Sequence, residues 1–273
     1  MIFTLLVSYM QHIAFVGLIF FSSLTDFTAA SSGNSGKTNN ATNEKSDKSA
    51  SSTLKGIDVS RWQKEVDWLQ VKDADITFAF VKATQGNYRL DPFFERNWEG
   101  TKQHGIVRGA YHFYKPEIPV QEQINLFINT VKLEPGDLPP VLDIEIMDKN
   151  VSPQKLRADI ATWLEAITQH YGVKPIIYTY QNYYRRHLKG HFPEYHFWIA
   201  RYSDAQPEVE HNDSWMFWQF TDRGAIAGIN AHVDINHFPG NWEQLNTLLI
   251  PEFLAKEQPA STLQQMKYKQ PLP

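Results

Sequence analysis

Eight short runs rich in β-branched and aromatic residues recur along the middle of the chain, with helical patterns between several of them. The predicted strands are Gly56–Ser60, Ile76–Ala83, Val107–Tyr114, Pro140–Glu145, Pro175–Tyr180, Phe197–Tyr202, Met216–Phe220 and Val233–Ile235. Predicted helices cover Phe93–His104, Val120–Leu133, Pro153–Tyr171 and a short stretch near Asn182–Leu188. The clearest begins with Ser152 as N-cap and Pro153 in the first turn, and Leu156, Ile160, Trp163, Leu164 and Ile167 follow at helical spacing. Strands alternating with helices imply an α/β fold, and eight such strands suggest a single (β/α) barrel of the TIM type. Helical patterns become scarce after Leu188, so the late part of the barrel is expected to be helix-poor.

Only part of the 273 residues fits this pattern. Residues 1–30 carry an uninterrupted apolar run, Ile13–Phe21, and the small residues Thr28, Ala29 and Ala30 offer a cleavage site. No Lys or Arg precedes Lys37, so a retained membrane anchor is the alternative to a cleaved signal peptide. Either reading implies export, to the medium or the cell envelope, and as an anchor the segment contacts the membrane. Residues 31–53 are Ser, Asn, Thr, Lys and Gly with almost nothing apolar, a flexible polar linker. The barrel is expected over residues 54–250, and a polar tail over 251–273. A barrel of about 200 residues is one domain, and a monomer is expected. There are no cysteines, which removes disulfides and thiolate chemistry together, and the net charge of -4 argues against a nucleic-acid partner.

In a barrel of this kind the active site lies at the carboxyl ends of the strands. The stretch Leu138-Pro139-Pro140-Val141-Leu142-Asp143-Ile144-Glu145 reads as a buried strand ending in two acids. Side chains alternate along a strand, so Asp143 and Glu145 share a face and Ile144 points into apolar packing. Two carboxylates together on an apolar strand repel each other and resist desolvation, which is the signature of a site; a solvated strand end is the plainer alternative. Asp58 and Asp234 stand at or near the ends of two further strands. Clustered carboxylates suit the splitting of glycosidic bonds, where one acid gives a proton and another supports an oxocarbenium-like centre. The crowding predicts a raised pKa for Glu145, with Asp143 on the same strand face and Asp58 and Asp234 nearby as the neighbouring charges. Tyr111, Phe113, Tyr178, Tyr180, Trp198, Tyr202 and Trp218 could line a sugar groove, core packing being the alternative for each.

Other candidates are weaker. His187 and His191 lie four apart, but no Glu stands between them and Gly190 weakens a helix, so a surface loop is expected there rather than a zinc site. Lys82, on the second strand, is either paired with an acid of the site or a solvated strand end. Carboxylate chemistry calls for no metal and no cofactor.

Several motifs stand in order along the chain: Gly56-Ile57-Asp58-Val59-Ser60-Arg61-Trp62-Gln63 with Val66-Asp67-Trp68, Phe80-Val81-Lys82-Ala83-Thr84-Gln85-Gly86, and Gly109-Ala110-Tyr111-His112-Phe113. Val141–Glu145, Phe197–Tyr202, Trp218-Gln219-Phe220, Gly228-Ile229 and Val233-Asp234-Ile235-Asn236 follow. As an ordered set they resemble the family 25 glycoside hydrolases, the Chalaropsis-type lysozymes or N-acetylmuramidases. The resemblance spans roughly residues 54–245, and Gln85 departs from it where the family more often has Glu. It implies a flattened barrel with irregular last strands. It also implies cleavage, with retention, of the β-1,4 bond between N-acetylmuramic acid and N-acetylglucosamine in peptidoglycan. Glu145 is then the general acid/base. Asp143 either orients the substrate acetamido group or stabilises the charged intermediate, Asp58 and Asp234 complete the acid set, and Gln219 joins the aromatic residues in binding substrate. The competing readings are an inactive glycan-binding barrel and a glycosidase acting on another N-acetylated glycan such as chitin.

Overall fold

The computed structural model describes residues 53–252, so the expected signal or anchor segment, all but the last residue of the expected linker, and the expected tail beyond residue 252 lie outside the described residues. The elements run β1 (Leu54–Val59), α1 (Trp68–Asp73), β2 (Phe78–Gln85), β3 (Arg89–Leu90), α2 (Phe94–Gln103), β4 (Val107–Phe113), α3 (Val120–Thr130) and β5 (Val141–Asp143). Then come α4 (Pro153–Tyr171), β6 (Ile176–Tyr180), α5 (Gln181–Tyr183, continuing as a π-helical turn over Tyr184–Leu188), β7 (His196–Ala200), β8 (Ser214–Gly224), β9 (Val233–Phe238) and α6 (Trp242–Asn246).

Strands pair in the order β1-β9-β8-β7-β6-β5-β4-β2, and β1 pairs with β2 to close an eight-stranded barrel. The short β3 adds to the end of β2 as a hairpin. Seven barrel strands are parallel to their neighbours, while β9 runs antiparallel to both β8 and β1. No helix separates β7 from β8 or β8 from β9, the helix-poor end that the sequence suggested.

Two apolar layers hold the barrel. Outside it, Ile57, Val81, Leu142, Ile144 and Ile177 pack against helical residues such as Ile124, Phe127, Ile160 and Trp163, all at most 1% exposed. The longest helix, α4, supplies much of this layer. Ser152 Oγ accepts from Lys155 N at 3.1 Å to start it, and Gly172 in the left-handed region ends it. Trp163 is fully buried, so Trp163→Ala would cost about 3–5 kcal/mol.

Inside the barrel, Phe78, Phe80, Leu138, Val141, Ile176, Phe217 and Phe238 fill the lower layers. Glycine makes room for these rings: a Cβ on Gly56 would come within 2.2 Å of Phe78, and one on Gly109 within 2.7 Å of Phe80. The inner floor is therefore closed by aromatic packing, and any site must lie above it.

Candidate active site

Period-two alternation carries each inward column from apolar at the bottom to polar at the mouth. On β1 the column is Gly56, Asp58, Ser60; on β2 it is Phe78, Phe80, Lys82; on β4 Gly109, Tyr111, Phe113. On β5 it is Val141, Asp143, Glu145; on β6 Ile176, Tyr178, Tyr180; on β7 Trp198, Ala200, Tyr202; on β8 Phe217, Gln219. Because β9 is reversed, its column reads Phe238, Asn236, Asp234 from bottom to mouth. Asp234 thus reaches the cleft from the amino end of its strand, not from the carboxyl end that the sequence reading assumed. Asp58, Asp143, Glu145 and Asp234 all line one cleft of about 260 Å³.

The columns are locked together by hydrogen bonds across the floor of the cleft. Asp58 Oδ2 accepts from Gln219 Nε2 and Asn236 Nδ2, both at 2.8 Å. Gln219 Oε1 accepts from the Tyr178 hydroxyl at 2.8 Å and the Tyr202 hydroxyl at 2.9 Å. Trp198 Nε1 donates to Asn236 Oδ1 at 2.8 Å, and its ring stacks on Phe80 with centroids 4.4 Å apart. Asp143 differs from Asp58: it is 5% exposed, and its Oδ1 has no hydrogen-bond partner.

Burial raises all four acids, as expected where water cannot solvate the charge. Glu145 is pushed up to about 7, chiefly by burial; the Lys82 charge and a hydrogen bond from Tyr180 oppose the rise, and the Asp58 charge adds to it. Asp143 lies well above the carboxylate range, through burial first and the Glu145 charge second. Asp234 rises to about 9 through burial and the Asp58 charge, while Asp58, pulled down by its amide donors, rises only to about 6. The raised Glu145 agrees with the sequence expectation, but its cause differs. Burial leads, and among the neighbouring acids Asp58 adds its charge.

Among the described residues no group of three or more His, Cys, Asp or Glu comes together in a way that could hold a metal ion. His187 belongs to the π-helical turn and packs on Tyr183 with ring centroids 4.6 Å apart.

The model of the family described as glycosyl hydrolases family 25 matches residues 57–229. The chain belongs to this family. Lysozyme M1 of Streptomyces globisporus is 31% identical over 215 residues, covering 72% of each chain. An uncharacterised protein of Escherichia coli K12, YegX, is 43% identical over 207 residues, which are 73% of this chain and 75% of that one. A solved bacterial lysozyme from Streptomyces coelicolor superposes with a TM-score of 0.68 at 30% identity, covering 72% of this chain and 97% of that one.

Of the aromatic residues singled out in this family 25 chain, Tyr111, Phe113, Tyr178, Tyr180, Trp198 and Tyr202 line the cleft with Gln219. Trp218 does not. It lies one residue off the inward column of β8, so it faces outward, where Nε1 donates to Arg201 O at 2.8 Å and the ring packs on Phe220 and His237. Lys82, one of the weaker candidates, joins the lining without an ion-pair partner among the described residues, and two residues outside the candidates, Ser60 and Trp62, complete it. Ser60 and Trp62 follow β1 directly, and position at a strand's carboxyl end was the signal that could have nominated them. Asn236 is likewise legible in hindsight, being two residues from Asp234 and hence on the same face.

Proposed function

We propose that this protein is a lysozyme that hydrolyses the β-1,4 bond between N-acetylmuramic acid and N-acetylglucosamine in peptidoglycan, with retention at the anomeric carbon. The observation that carries the reading is the acid pair at the end of β5, Asp143 and Glu145, in a cleft walled by tyrosines and tryptophans within a family 25 barrel. Glu145 is the general acid/base. Its pKa near 7 supports this role, since it keeps a proton to give to the leaving oxygen at mildly acidic pH and can later take one from water. Asp143 steadies the acetamido group beside the scissile bond, a role supported by its buried Oδ1 without a partner. Asp58, the more easily ionised of the two acids on the β1–β9 side of the cleft, keeps the field around Glu145 negative, which favours the positive charge that develops on the sugar ring. Tyr180 and Tyr202, 38% and 44% exposed with ring centroids 6.2 Å apart, offer the sugar an apolar wall. Peptidoglycan as substrate sets the working place outside the cytoplasm, in the cell envelope or beyond.

Incubation of the purified protein with peptidoglycan, followed by mass analysis of the new reducing ends, tests the reading. N-acetylmuramic acid at the reducing ends, first released as the β-anomer, is the expected result. Binding without release, or reducing-end N-acetylglucosamine, would contradict it.

A further inference from the structure

Two cations without an ion-pair partner among the described residues stand at the cleft: Lys82 in its lining, and Arg61 against the lining residue Trp62. Lys82 lines the cleft above Phe78 and Phe80 on β2. Its ammonium donates to the neutral Gln85 Oε1 at 3.1 Å and stands 4.4 Å from the Phe113 ring centroid. Arg61 follows β1, with its backbone N–H held by Asp91 Oδ2 at 3.0 Å and its guanidinium 4.8 Å from the ring centroid of Trp62. Trp62 is 69% exposed and lines the same cleft. Among the described residues, neither cation is within ion-pair distance of a carboxylate. The two repel each other, and burial with that repulsion lowers the pKa of Lys82, while the charges of Asp143, Asp91 and Glu145 oppose the fall. A half-buried ammonium whose direct hydrogen bond goes to a neutral amide, with the acids beyond ion-pair distance, is incompletely compensated, and an incoming anion would complete it.

The remaining walls show what kind of anion fits. The acids at the floor repel an anionic group from the reacting centre, and the tyrosine wall of Tyr180 and Tyr202 takes the face of a sugar. A substrate with an apolar ring face and an acidic arm matches this layout. A neutral glycan leaves both cations unanswered.

We propose that Lys82 and Arg61 form a carboxylate-binding wall that receives the acidic arm of the muramic acid unit and so selects anionic peptidoglycan strands over neutral glycans. The inference rests on the peptidoglycan reading above and goes beyond it by naming what sets specificity. The carboxylate belongs either to the lactyl group itself or to the peptide attached to it.

The test compares KM on three preparations: strands bearing peptide stems, strands stripped of stems by an amidase so that lactyl carboxylates are free, and stemmed strands whose carboxylates are converted to methylamides. The wild-type protein should show a KM roughly tenfold lower on one of the anionic preparations than on the neutralised one. The preferred anionic preparation identifies the source of the carboxylate. Arg61→Gln and Lys82→Met should each shrink that preference, and Lys82→Arg should retain it. Equal KM on anionic and neutralised strands, or a preference that survives both Arg61→Gln and Lys82→Met, would overturn the proposal while leaving the lysozyme reading intact. Failure to hydrolyse any of the three would overturn the lysozyme reading itself.

Discussion

Asp58 and Asp234 stand directly opposite each other across the antiparallel seam between β1 and β9. Directly opposed residues of an antiparallel pair have Cβ atoms about 4.5–5.5 Å apart, and like charges there are destabilising. The fold manages the clash unevenly. Asp58 receives two amide hydrogen bonds and is the more easily ionised, and Asp234 holds its proton up to about pH 9.

The seam should be visible in the pH dependence of stability. An unfolded Asp ionises near its model value of 3.8, whereas folded Asp234 does so near 9. Between those values the folded chain binds more protons than the unfolded one, so stability falls as pH rises, and above 9 the loss is complete. Asp234→Asn removes this group from the balance. In thermal melts from pH 5 to 9, the variant should gain on the wild type steadily as pH rises. Parallel curves would show that Asp234 is not held neutral.

Gln219 is the joint between the acids and the aromatic wall, donating to Asp58 and accepting from Tyr178 and Tyr202. Gln219→Glu keeps the shape. While protonated, the new carboxyl can still donate to Asp58; once ionised, it repels Asp58 and leaves a buried acceptor without its donor, a loss of about 1–3 kcal/mol. The variant should therefore melt near the wild type at pH 5 and several degrees lower at pH 8. A deficit of the same size at both values would mean that the amide matters only for packing.

Behind the mouth, His112 is fully buried, with Nδ1 2.7 Å from Thr84 Oγ1 and Nε2 3.0 Å from Gln123 Oε1. Gln123 Nε2 already donates to Lys115 O and Ile118 O, so its Oε1 is an acceptor and His112 Nε2 must carry the hydrogen. Burial drops the imidazole pKa to about 4. This neutral ring pins Gln123, and through it the loop that leaves β4 at the mouth. Nitrogen-15 spectra should show the Nε2–H form persisting at pH 5.5, where a titration midpoint near 6.5 would contradict the assignment. Because the unfolded ring protonates first, this group removes stability as pH falls from about 6.5 toward 4.

Much of this architecture was legible because the strands are apolar on both faces, helices outside and aromatic rings within, and so stand out as continuous runs. Helix α4 was legible to the residue, since its cap, its proline and its periodic apolar face all agree. The short elements escaped. Six residues of α1 and five of α6 are too few for periodicity to register, although Asp67 caps the first and Asn241 with Gln244 forms a capping box on the second. Strand β8 runs past Phe220 through Thr221, Asp222 and Arg223, because pairing with β9 and not apolar content extends it. Strand β5 is shorter than its apolar run: pairing stops at Asp143 and leaves Glu145 just beyond the strand. The acids Asp58, Asp143 and Glu145 were found by strand-end position, and Asp234 by the same rule for the wrong reason, since only the reversal of β9 brings it to the mouth. Trp218 was misassigned because a strand's inward face can be counted only once its register is known.

Glu145 is the group on which the proposed chemistry depends most directly. Glu145→Gln keeps the side-chain shape but removes the proton, so its turnover on peptidoglycan should fall at least about a hundredfold while the fold and melting temperature at acidic pH are retained. The wild type should show an acidic optimum with an alkaline limb near pH 7, where the acid cluster loses the proton that Glu145 holds. If Glu145→Gln keeps near-normal turnover with an unchanged pH profile, the acid is another residue and the proposed mechanism is wrong.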